Sequence, residues 1–89
     1  MNESQVLTAL EKLNGWKLEN GFIKKSFQFK DFKAAFAFMV RVSFEAEDQN
    51  HHPNWENVYN VVTVRLQTHD AAGITHKDIE LARSIDAIE

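Results

Sequence analysis

The segment WKLENGFIKKSFQF, Trp16 to Phe29, sets the architecture. Its Asn20-Gly21 pair is the strongest two-residue hairpin signal, because a tight type I′ turn needs positive φ at both positions; glycine adopts it freely and asparagine tolerates it. Antiparallel strands are expected on either side, Trp16 to Leu18 and Phe22 to Phe29. In the second, Ile23, Phe27 and Phe29 share one face while Lys24, Ser26 and Gln28 share the other. One face of the sheet therefore looks toward a core and the other toward solvent.

Upstream, Ser4 is a suitable N-cap, with Val6, Ala9, Leu10 and Leu13 at helical spacing before Asn14-Gly15 offers a stop. Downstream, Asp31 can cap a long helix reaching about Asp48, a stretch without Gly or Pro. Phe32, Ala35, Phe36, Met39 and Ser43 fall on one stripe of it, with Phe38, Val42 and Phe44 off that stripe. A helix apolar on more than one side predicts either a wide core face or contact with a second subunit. Asn50-His51-His52-Pro53 ends the helix, since Pro53 lacks an amide proton and pushes His52 toward extended backbone.

Strands are then predicted over Trp55 to Tyr59 and Val62 to Thr68, joined by a turn at Asn60-Val61, with Val62, Val64 and Leu66 alternating against Thr63, Arg65 and Gln67. Gly73 marks a loop, and Thr75 opens a last helix with Ile79, Ala82, Ile85 and Ile88 or Ala87 inward. The order α-β-β-α-β-β-α describes an α+β fold, a four-stranded antiparallel sheet with helices packed on one face. At 89 residues and 10.3 kDa, residues 1–89 are expected to form a single domain. A chain this short buries only about 60–65% of its unfolded surface, which makes oligomerisation plausible on size alone.

The absence of cysteine excludes disulfides, thiolate metal sites and a thiol nucleophile. With 10 basic against 13 acidic side chains, the net charge is −3, and no basic cluster exceeds Lys24-Lys25. A nucleic-acid groove is thus unsupported. The start Met1-Asn2-Glu3-Ser4-Gln5 lacks the features of a signal peptide and no stretch approaches a membrane span, so a cytoplasmic location is expected.

All four histidines, at 51, 52, 69 and 76, lie in the second half of the chain. Histidine is the side chain whose ordinary pKa, about 6.5, lets it give and take protons near neutrality. With Glu47 and Asp78 nearby in sequence, His51, His52 and His69 could form an acid-base site. The plainer alternatives are solvated loop histidines, or three ligands on a zinc ion, although the chain has no ligand-spaced motif of the His-Glu-x-x-His kind. Asp78 also sits three residues after Thr75, where an acidic side chain completes a capping box. Glu47 lies near the C-terminal end of its helix, against the dipole, which suggests a task elsewhere. Trp55 and Tyr59 read more readily as packing than as a ligand platform.

The pattern Glu47-x3-His51-His52-Pro53-x5-Tyr59-x9-His69-x8-Asp78 resembles the signature of the pterin-4a-carbinolamine dehydratases. The similarity extends through His51 to Asn60, Thr68 to Thr75 and Phe36-Ala37-Phe38-Met39, and covers the chain from about Leu13 onward. The resemblance implies dehydration of 4a-hydroxytetrahydropterin to quinonoid dihydropterin, in the tetrahydrobiopterin recycling that serves aromatic amino acid hydroxylases, with no metal or redox cofactor. It implies His51 and His69 as general acids for the two epimeric hydroxyls, and His52 as pterin binder and proton acceptor. Pro53 and Trp55 join His52 as substrate-binding positions. Asp78 would orient His69 or its neighbours, and Glu47 would support the loop histidines or contact the ligand. A homodimer or homotetramer built through the long helices is implied too. The alternative is a non-catalytic protein-binding or assembly factor, of the kind that serves as a transcriptional dimerisation cofactor.

Overall fold

The computed structural model describes residues 1–89. Along the chain run α1 (Glu3–Leu10), β1 (Lys17–Glu19), β2 (Phe22–Gln28), α2 (Phe32–Gln49), β3 (Asn54–Val58), β4 (Val61–Leu66), a 3-10 turn (His69–Ala71) and α3 (His76–Ile88). The strands form one antiparallel sheet in the order β1-β2-β4-β3. This is the expected α+β order. The Asn20-Gly21 turn joins β1 to β2 with φ of 52° and 82°, both left-handed.

Pleating sends Ile23, Phe27, Val62, Val64 and Leu66 to the helix-covered face, all buried. The opposite face is wet and held by cross-strand pairs: Ser26 Oγ lies 3.1 Å from Thr63 Oγ1, and Arg65 donates to Glu56 at 3.1 Å. On the core side, Asp86 of α3 accepts from the Lys25 amine at 2.8 Å and from the Trp16 indole N–H at 3.1 Å, tying α3 to the first hairpin.

Three local expectations are corrected. The N-cap of α1 is Asn2 rather than Ser4: Asn2 Oδ1 accepts from Gln5 N–H and Gln5 Oε1 accepts from Asn2 N–H, both at 2.8 Å. This reciprocal box satisfies two otherwise orphaned donors, which a cap at Ser4 could not do here, and α1 ends at Leu10 before reaching Leu13. The second hairpin turns at Tyr59-Asn60, not Asn60-Val61, so each strand begins one residue earlier than predicted and β4 stops at Leu66. Tyr59 takes φ 51°, and the Asn57 amide holds it by donating to Tyr59 O at 3.1 Å and Val61 O at 3.0 Å.

The largest correction is the rotation of α2. Its buried row is Ala35, Phe38, Val42 and Ala46, so Phe38 and Val42 belong to the core rather than to a subunit contact. Phe32, Phe36 and Phe44, together with Val40, are exposed; Phe38 is 1% exposed and Phe44 70%. Both rows are apolar at helical spacing, so periodicity does not choose between them. The buried row has alanine at both ends, and small side chains there allow α2 to approach the sheet and α3 closely.

Candidate active site

Helix α2 delivers both adjacent histidines through the way it ends. Asn50 takes the left-handed conformation, φ 50° and ψ 45°, while His51 N–H donates to Ala46 O at 3.0 Å and Asn50 N–H to Glu47 O at 3.2 Å. This is a Schellman closure, and asparagine tolerates the left-handed residue it needs. The helix thus stops at Asn50 itself, and Pro53 enforces the extended exit afterwards.

The two side chains then part. His51 turns inward and its Nε2 lies 2.6 Å from Asp78 Oδ1, in a pair whose side chains are 10% and 0% exposed. His52 turns outward and its Nε2 lies 2.6 Å from Glu47 Oε2, in a pair 58% and 77% exposed. Glu47 is one turn back from the helix end, which brings its carboxylate within reach of the loop. Its unfavourable place against the helix dipole is offset by that partner when the imidazole is protonated.

Asp78 is held on both oxygens. Oδ1 faces His51, while Oδ2 accepts from Thr68 Oγ1 at 2.8 Å and from Thr75 N–H at 2.9 Å. The Thr75 contact is half of the capping box anticipated from sequence, so one carboxylate both starts α3 and holds a histidine. No buried side-chain nitrogen or oxygen lacks a partner. A carboxylate removed from water is tolerated under such conditions, with both oxygens engaged and three contacts in all.

His69 opens the exposed 3-10 turn. The neighbouring residue pins that turn: Thr68 N–H donates to Gly73 O at 2.9 Å, and the Thr68 hydroxyl reaches Asp78. His69 therefore follows Thr68, the residue whose hydroxyl contacts the buried dyad, and the partner of Asp78 is His51 rather than His69. Trp55 packs on the core from the inner face of β3, opposite Val64, and Pro53 is half-buried in the loop before it.

A cavity of about 210 Å³ opens beside the buried dyad, lined by Gln49, His51, His76, Lys77 and Glu80. His76 and Lys77, on the first turn of α3, were not singled out from sequence; their adjacency to the capping Thr75 and Asp78 was the signal available. A larger cavity of about 430 Å³, between α1 and β1, is lined by Leu7, Leu10, Trp16, Leu18, Glu3, Glu11 and Lys17 and has no histidine. The smaller cavity is the one that has histidines in its lining, His51 and His76. No three His, Asp or Glu side chains converge closely enough to hold a metal ion.

Residues 1–88 match the family described as Pterin 4 alpha carbinolamine dehydratase. A protein of Christiangramia forsetii bearing the name pterin-4-alpha-carbinolamine dehydratase is 49% identical over 99% of this chain and 91% of its own. The crystal structure of a transcriptional coactivator/pterin dehydratase from Brucella melitensis superposes with a TM-score of 0.95 at 44% identity, covering 99% of this chain and 96% of that one. A pterin dehydratase-like protein described as a RuBisCO assembly factor in the alpha-carboxysome shares the fold, with a TM-score of 0.72 at 19% identity, covering 85% of this chain and 90% of the other. With its four-stranded sheet, its paired histidines and a match running through nearly its whole length, the chain belongs to the pterin-4-alpha-carbinolamine dehydratase family of hydro-lyases.

Proposed function

We propose that this protein dehydrates 4a-hydroxytetrahydropterin to quinonoid dihydropterin by histidine acid-base catalysis, in support of tetrahydropterin recycling for aromatic amino acid hydroxylases. The observation that carries the reading is the pair of adjacent histidines, each 2.6 Å from its own carboxylate, on one loop. The reaction breaks the C4a–O bond, and a proton from an acid turns the departing hydroxyl into water. The N5 lone pair forms the C4a–N5 double bond as the C–O bond breaks, and N5 then loses its proton to a base. Each positioned group of this kind supplies about 10²- to 10⁴-fold.

In this scheme His51 and His69 protonate the two epimeric hydroxyls, while His52 binds the pterin and takes the N5 proton. Asp78 and Glu47 orient their histidines, and Pro53 and Trp55 flank the ring. A carboxylate beside an imidazole fixes the orientation of the ring, and so the direction in which its other nitrogen faces a ligand.

Stopped-flow absorbance of freshly generated 4a-hydroxytetrahydropterin, after exhaustive chelation, tests this reading. Faster decay with the protein, lost when His51, His52 and His69 are all changed to Ala, is the expected result. No acceleration by folded protein would reject it, and loss on chelation would point to a metal-dependent lyase.

The exposed row Phe32, Phe36, Val40 and Phe44 on α2 supports a homodimer or homotetramer built through that helix. The same row would also serve the second reading, a protein-binding or assembly role. Light scattering of Phe44→Glu reports on self-association, and a smaller mass than the unmodified protein is expected. Turnover in the decay assay separates the catalytic role from the assembly role.

A further inference from the structure

The hydroxyls around Asp78 form a chain with a single direction. Asp78 Oδ2 accepts from the Thr68 hydroxyl at 2.8 Å, so Thr68 has spent its one proton there. The 2.6 Å contact between Thr68 Oγ1 and Thr75 Oγ1 must then be Thr75 donating to Thr68. Thr75 Oγ1 in turn accepts from Lys77 N–H at 3.2 Å. With Oδ2 filled by two donors, the carboxylate is left as an acceptor toward His51, and the 2.6 Å contact requires Nε2 to carry the hydrogen. Nδ1 is the His51 nitrogen without a protein partner, and His51 lines the 210 Å³ cavity.

We infer that Thr68 is a positioning residue for the reaction: its hydroxyl holds the Asp78 carboxylate against His51 and so keeps the imidazole in the Nε2–H form, with Nδ1 as the atom that exchanges protons with a ligand. The inference rests on the dehydratase reading and adds a residue to it. Thr68 acts through Asp78 and touches no reacting atom. Its position also explains how two loops are kept in step, since its side chain joins the segment after β4 to the N-cap of α3 and, through Asp78, to the histidine at the end of α2, with His69 next along the chain. Without the hydroxyl, Oδ2 keeps only the Thr75 amide and the carboxylate is free to rotate against His51. Misplacement on this scale reduces turnover by about tenfold to a hundredfold.

Thr68→Val keeps the β-branched shape and removes the hydroxyl, and Thr68→Ser returns it. The expected result is a kcat about tenfold or more lower in Thr68→Val with KM within about twofold, and recovery in Thr68→Ser. Nitrogen-15 spectra of the imidazoles, recorded at about pH 8 to 9 where ordinary histidine is neutral, read the second consequence. His51 of the unmodified protein should be the Nε2–H tautomer, and Thr68→Val should show a mixture. An Nδ1–H tautomer in the unmodified protein overturns the inference, as does Thr68→Val with unchanged kcat and unchanged His51 signals. Where Thr68→Val does not fold, Thr68→Ala serves in its place, and the spectrum of the unmodified protein still overturns the inference if it shows Nδ1–H. A protein with no turnover but a pure Nε2–H spectrum sinks the dehydratase reading and leaves the hydroxyl chain standing.

Discussion

The buried dyad His51–Asp78 and the exposed dyad His52–Glu47 have the same 2.6 Å contact and stand in opposite surroundings. Distance does not distinguish them, but the solvent does. Asp78 has given up its water and depends on three protein donors, so losing any one leaves a charge in a low-dielectric interior. Glu47 has given up almost nothing, and water replaces His52 whenever the two separate. The first dyad is therefore part of the fold as well as of the proposed site. The second can change partner, which suits a group that must receive a proton and release it.

Four experiments separate the dyads, and the first is expected to have the largest effect. Asp78→Ala removes half of the α3 capping box and the His51 partner together. Breaking a buried hydrogen-bonded pair is worth about 3–5 kcal/mol, so thermal unfolding should move down by many degrees and carbinolamine decay should fall to background. A variant melting within a degree or two of the unmodified protein would make the two dyads equivalent and end the distinction.

His52→Ala should lower turnover by about 10²-fold or more while changing stability by no more than about 0.5 kcal/mol, as surface substitutions do. Near-normal turnover with normal melting would refute its assignment. Glu47→Gln keeps the size and removes the charge, and a loss of only a few fold in kcat/KM is expected, since exposed pairs are worth about 0–1 kcal/mol. A loss as severe as that of Asp78→Ala would show that the exposed dyad is ordered by substrate. The smallest effect is that of salt: between about 0.05 and 0.5 M, screening should weaken the Glu47 contribution measurably and leave the Asp78 contribution unchanged.

The two rows of α2 present the same contrast in apolar form. Phe38 and Phe36 are chemically identical and two residues apart; one is 1% exposed and the other 52%. A fully buried phenylalanine contributes about 1.5–3 kcal/mol relative to an exposed one. Which phenylalanine receives that contribution depends on the rotation of the helix.

Much of this protein was legible in the chain because it is locally encoded. Asn20-Gly21 specifies its turn through backbone sterics, the alternation of Val62, Val64 and Leu66 specifies a face, and Thr75 with Asp78 specifies a helix start. These signals act over two to four residues and need no other part of the molecule. The candidate residues His51, His52, Glu47 and Asp78 stood out as a spacing, and the order α-β-β-α-β-β-α followed from the elements. The pairing of one carboxylate with each histidine was not legible. It depends on a left-handed Asn50 aiming two adjacent side chains apart, and on bringing residue 78 to residue 51 across the top of the sheet. The rotation of α2 and the Thr68–Asp78 contact belong to the same class. Each is a choice between locally equal alternatives, and the choice is made by which surfaces lose their water when the elements pack.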